Sequence, residues 1–104
     1  MAVTTTQRSL KLMRDRGYYA ESVERFNSFT KRKHDLFGFI DILCLKEGEV
    51  LGVQTTSLSN ASTRRSKIID HENFKIVMAS GIKIVVHGWV KRESRWTVKE
   101  IVIE

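Results

Sequence analysis

The chain has no proline and a single cysteine among its 104 residues. The lone Cys44 excludes an internal disulfide. It lies inside the apolar run GFIDILCL, Gly38 to Leu45, which marks it as a small core residue rather than a reactive thiol. No apolar stretch approaches the roughly 20 residues that span a bilayer, so no membrane partner is expected. The opening MAVTTTQRSLK has no apolar centre of the secretory kind, and the expected setting is reducing and cytoplasmic. There is no Gly-rich phosphate loop. His34, His71 and His87 are scattered without ligand spacing, and no Cys partner supports a zinc site. No repeat, low-complexity tract or linker divides the chain, which reads as one domain over residues 1–104.

What is present is a periodic, folding sequence. Apolar residues make up 41% of it, too many for a disordered chain. The net charge is +6. Residues 1–52 carry 9 basic and 7 acidic groups, and residues 53–104 carry 9 and 5, so the excess is no mere tail. A basic domain of this size fits either a polyanionic partner, most often nucleic acid, or a solvated basic surface.

Thr4-x-x-Gln7 reads as a capping box that opens a helix with Thr6, Leu10 and Met13 on one face, and Gly17 as its stop. Tyr18 to Phe26 reads as a strand, and the polar, basic segment Asn27 to Asp35 as a loop. GFIDILCL and VLGVQTTS flank a KEGE turn and predict a hairpin of two strands buried on both faces. Ser59 or Asn60 can cap a helix to about Asp70, a further helical piece reaches Ser80, and residues 82–90 and 95–104 are strands. The order α-β-β-β-α-β-β predicts an α/β (α+β) fold with a mixed sheet flanked by helices.

Within the hairpin, Asp41 is a carboxylate among Phe39, Ile40, Ile42 and Leu43. Burying it unpaired costs several kcal/mol. A turn at Glu47-Gly48 pairs Lys46 with Glu49 and carries Asp41 opposite Gln54, with Cβ atoms ~5 Å apart. Thr56 lies on the same face. Two readings remain open here. Asp41 accepts hydrogen bonds from Gln54, Thr56 or the backbone, or it holds a divalent cation together with the Gln54 carbonyl and a strand carbonyl such as that of Thr55.

An Asp on one strand, followed by a carboxylate or Gln and a Lys at alternate positions on the next, resembles the PD-(D/E)XK nuclease superfamily. DLFGFIDILCL and VLGVQTTS resemble its Holliday-junction-resolvase and VRR-NUC branches, and the element order resembles its restriction-endonuclease-like core. The resemblance implies a metal-dependent endonuclease using Mg²⁺ or Mn²⁺, with DNA as partner, branched DNA in particular, and a homodimer as its working form. Asp41 would be the metal-binding aspartate, Gln54 would stand at the (D/E) position, and the Thr55 carbonyl would be a further ligand. Thr56 falls where the superfamily has Lys, and it cannot replace that charge. Lys67 or Arg64, on the following helix, could send a cation back over the site. Glu24 or Asp35 could restore the missing carboxylate, although each also reads as an ordinary surface acid. Lys31, Arg32, Lys33, Arg64, Arg65 and Lys67 are candidate phosphate contacts, and each alone also reads as solvated charge. Three functions follow: an endonuclease, a nuclease-fold protein that binds nucleic acid without cutting, or a small accessory domain for protein contacts.

Overall fold

The computed structural model describes residues 3–104. Helix α1 (Thr5–Asp15) opens on the expected capping box. Thr4 Oγ1 accepts from the Gln7 amide at 3.1 Å, and Gln7 Oε1 accepts from the Thr4 amide at 3.0 Å. Its most buried positions are Ser9 and Met13, with Thr6 and Leu10 at the margin. Ser9 was not expected inside, and its hydroxyl is satisfied there by His87 and Trp89. Gly17 ends the helix region at φ +92°.

Strand β1 (Tyr19–Ser22) is shorter than the expected Tyr18–Phe26. After Ser22 the chain leaves the sheet, and β2 (Arg25–Asn27) pairs with β3 (Arg32–His34) as a separate two-stranded ribbon. The segment expected as a loop is therefore partly a strand. A ribbon solvated on both faces has the composition of a loop, so polarity alone does not separate them. Asn27 closes its turn, because Asn27 Oδ1 accepts from the Phe29 amide at 2.9 Å and the Thr30 amide at 3.3 Å.

Strand β4 (Ile42–Lys46) starts later than expected. Leu36 to Ile40 form a turn closed by a bridge between these two residues, with Gly38 at φ +93°. The β4–β5 hairpin has the expected register: Lys46 pairs with Glu49 and Ile42 with Val53 in β5 (Glu49–Ser57). A 3₁₀ turn (Leu58–Asn60), α2 (Ala61–Asp70) and α3 (Phe74–Ala79) then cross over to β6 (Lys83–Arg92), which runs parallel to β5. Asn60 precedes α2 without a side-chain capping bond. Strand β7 (Arg95–Ile103) returns antiparallel on β6.

The result is an α+β fold with a mixed five-stranded sheet in the order β1-β4-β5-β6-β7, flanked by helices. One face buries Met13, Ala20, Ile42, Cys44, Leu51 and Val53 beneath α1. The other buries Phe39, Ile40, Ala61, Ile68, Val77, Ile84, Val86 and Ile103 beneath α2 and α3. Strand β5 is covered on both sides, as expected, but β4 is not: Ile42 and Cys44 are buried beneath α1, whereas Leu43 is only half-buried and Leu45 is exposed on the opposite face. No helix among the described residues is long and apolar enough to cross a membrane.

Candidate metal centre

Asp41 sits one residue before β4, pinned from both sides. Its amide donates to Val53 O at 2.9 Å, and its carbonyl accepts from the Val23 amide at 2.8 Å. Its side chain is buried, 3% exposed. Because β4 begins only at Ile42, the Thr55 amide has no strand partner on that side. Asp41 Oδ2 takes this amide at 2.8 Å, together with Gln54 Nε2 at 3.0 Å and Thr55 Oγ1 at 3.4 Å. The N–H and C=O of one strand residue point to the same edge, so the Thr55 carbonyl also faces the β4 side.

Glu24 and Asp35 join Asp41: one carboxylate oxygen from each lies within 4.8 Å of the others. Both come from the base of the ribbon. In its register Arg25 pairs with His34, so Glu24 and Asp35 are the next opposed positions. Glu24 is not on the first strand, as expected, but in the link between β1 and β2. Glu24 Oε1 accepts from Thr6 Oγ1 at 3.3 Å, which ties the cluster to α1. Asp35 Oδ2 accepts from Gln54 Nε2 at 3.4 Å.

Desolvation pushes the Asp41 pKa up to about 8, and the Asp35 carboxyl adds to this through a hydrogen bond and its charge, as does the charge of Glu24. The Thr55 amide opposes the shift without cancelling it. Three carboxyl groups this close share their charge poorly, and the most buried one keeps its proton. A divalent cation would relieve the same repulsion, and oxygen donors of this kind suit Mg²⁺ or Mn²⁺. Glu24, Asp35 and Asp41 therefore fit such an ion. Gln54 corrects the expectation: its Nε2, not its carbonyl oxygen, is turned toward the acids, where it donates to both Asp35 Oδ2 and Asp41 Oδ2. A half-turn of the amide would present its oxygen instead.

The remaining candidates divide. Thr56 is buried on the same face as Gln54 but takes no part in the bonds around Asp41. Arg64, Arg65 and Lys67 are exposed on α2, and the expected return of Arg64 or Lys67 over the site is not made: none of the bonds or ion pairs of the cluster involves them. The helix is anchored by Ala61 and Ile68, and this leaves its basic groups to solvent. The cation at the cluster is Lys33, whose Nζ is 3.9 Å from Glu24 Oε2. In the sequence Lys33 is a candidate phosphate contact only, because a loop does not place its residues. Lys31 and Arg32 are exposed on the ribbon.

A second polar group joins residues far apart in sequence, and in it His87 is the packed, hydrogen-bonded strand histidine that its position implies rather than a metal ligand. Trp89 Nε1 donates to Ser9 Oγ at 2.8 Å, Ser9 Oγ is 2.8 Å from His87 Nδ1, and His87 Nε2 is 3.2 Å from Glu100 Oε1. Burial lowers the His87 pKa, so the ring is neutral. Since Trp89 can only donate, the Ser9 proton goes to Nδ1 and the ring proton sits on Nε2. Ser9 is fully buried, which makes this chain a core fastening and not a nucleophile. Cys44 is buried on the α1 face, its pKa pushed up to about 11 by desolvation. A scan against protein-family models and a search of curated proteins find no match to the chain.

Proposed function

We propose that the chain is a metal-dependent endonuclease of the PD-(D/E)XK kind, acting on DNA phosphodiester bonds and on branched DNA in particular. The observation that carries this reading is the meeting of Glu24, Asp35 and Asp41 at the buried end of a β-hairpin, with Gln54 beside them. Asp41, Asp35 and Glu24 would hold Mg²⁺ or Mn²⁺, with the Thr55 carbonyl and a turned Gln54 amide as further oxygen donors. Bound there, the ion supplies a water of lowered pKa and offsets charge on the phosphoryl group. To act as a ligand there, Asp41 would have to release its proton. Lys33, with its Nζ 3.9 Å from Glu24 Oε2, would stand in for the cation that Thr56 does not provide. The product carries a 5′-phosphate, by resemblance to the superfamily. Lone buried Cys44 fits a reducing, cytoplasmic setting, and the β7 edge offers a route to a homodimer.

The test is cleavage of duplex and four-way-junction DNA with Mn²⁺. Wild type should cut and Asp41→Asn should not, while Lys33→Ala should lower the rate by about 10- to 100-fold, as loss of groups around a metal site does. Cutting that survives in Asp41→Asn would sink the assignment. The neutral Thr56 and the Gln54 NH₂ group favour a second reading, a nucleic-acid binder that does not cut. Salt-sensitive DNA binding without cleavage in any divalent metal would select it. Absence of DNA binding at low salt would instead select an accessory domain for protein contacts.

A further inference from the structure

Among the described residues, the ribbon β2–β3 pairs with no strand of the main sheet. Its side chains are exposed almost throughout, including two aromatic ones: Phe26 is 64% exposed and Phe29 is 96% exposed. From Arg25 to His34 the ribbon carries Arg25, Lys31, Arg32 and Lys33 and no acid. Phe29 lies in the turn at its tip, which the two amide bonds to Asn27 Oδ1 hold in shape. A bare phenyl ring at the end of a basic ribbon is poorly explained by folding, since it buries nothing. It is well suited to stacking against a nucleobase, which any unpaired base permits, while neighbouring cations hold the phosphates. The roots of the ribbon are Glu24 and Asp35, so whatever it grips is delivered to the carboxylate cluster.

We infer that the ribbon is a nucleic-acid clamp: Arg25, Lys31, Arg32 and Lys33 take the phosphate backbone, and Phe29 stacks on a base that is not paired. The substrate class is then DNA with an unpaired base near the bond to be cut, a fork, flap or junction, rather than continuous duplex. This names the substrate of the nuclease reading and rests on it for what happens after binding; the binding itself does not need the metal. A lipid surface is the other partner that takes aromatic and basic residues together, but Phe26 and Phe29 are a small apolar face to bury in a bilayer, whereas a single ring is enough to stack on one base.

The experiment is binding in EDTA at low salt, where nothing is cut, to a forked DNA and to the matching continuous duplex. A 2-aminopurine is placed at the unpaired position of the fork. Phe29→Ala should weaken binding to the fork by about tenfold, the size of one lost stack, and leave duplex binding unchanged. Phe29→Trp should keep the preference. Wild type should change the 2-aminopurine fluorescence through stacking, and Phe29→Ala should not. Phe29 is almost fully exposed, so its removal leaves the fold intact. Equal losses on both DNAs, no loss on either, or binding to phosphatidylserine vesicles in place of DNA would overturn the clamp. Failure of wild type to cut with Mn²⁺ would overturn the nuclease reading alone and leave the EDTA result standing.

Discussion

Asp41 illustrates how one residue type in an unsuitable place points to chemistry. A carboxylate within an apolar run demands compensation, and the hairpin register is enough to name Gln54 as its neighbour. The direction of the Gln54 amide was not legible, because it depends on two further acids that sequence spacing does not bring together. The same cluster gives Asp41 a measurable signature. Its pKa in the folded protein is raised to about 8, while in the unfolded chain it has the ordinary carboxylate value near 4. The folded state therefore holds the proton to higher pH than the unfolded state does. The stability this contributes is fully present below about pH 4 and is lost as pH rises toward 8. Thermal melting in EDTA should show the midpoint falling over that window, and Asp41→Asn should flatten the fall. Mn²⁺ should restore the midpoint, more at pH 8 than at pH 5, because at high pH the ion no longer competes with a proton. A pH-independent midpoint, or one that Mn²⁺ leaves unmoved at pH 8, would overturn the proposed metal centre.

At the scale of elements, strong periodicity was readable and context-dependent pairing was not. The capping box of α1, the hairpin turn at Glu47-Gly48 and the two C-terminal strands follow from residue pattern alone. The ribbon did not, although its register explains why Glu24 and Asp35 meet. Nor did the turn from Leu36 to Ile40, which is apolar enough to pass for the start of a strand. That turn is held by a close approach: a Cβ built on Gly52 would lie 2.6 Å from Ile40 Cδ1. Gly52 thus makes room on β5 for Ile40, the residue next to Asp41. Gly52→Ala should force Ile40 aside and destabilise the fold by about 1–3 kcal/mol, the usual range for overpacking a core. Urea denaturation would show this as a lower midpoint at unchanged slope. Displacement of Asp41 should also reduce the stabilisation that Mn²⁺ confers. A variant as stable as wild type would mean that the turn is seated by something other than this approach.

On the scale of the whole molecule, the +6 charge was legible at once, but its arrangement was not. The structure sorts part of it into two groups, the ribbon with Lys31, Arg32 and Lys33, and the outer face of α2 with Arg64, Arg65 and Lys67. Only the ribbon group is joined to the carboxylates, through Lys33 and Glu24. Composition weighs these two triads equally, whereas position does not. If DNA lies across the carboxylate cluster, its phosphates should meet the ribbon first. Each phosphate that is neutralised releases counterions, so the slope of log affinity against log salt reports their number, about 0.9 per phosphate on duplex DNA. Replacing Lys31, Arg32 and Lys33 by Ala should reduce that slope by roughly one unit for every phosphate no longer neutralised. It should also weaken binding to all sequences alike, since phosphate recognition reads no bases. Replacing Arg64, Arg65 and Lys67 should reduce the slope less. Both triads are exposed, and the one ion pair lost among the described residues, Lys33 to Glu24, is long and solvated, so both variants should melt close to wild type, which separates a weakened hold on DNA from a damaged fold. The reverse ranking, with the α2 variant giving up the larger share of the slope, would move the DNA path away from the ribbon and with it the source of the cation at the cluster.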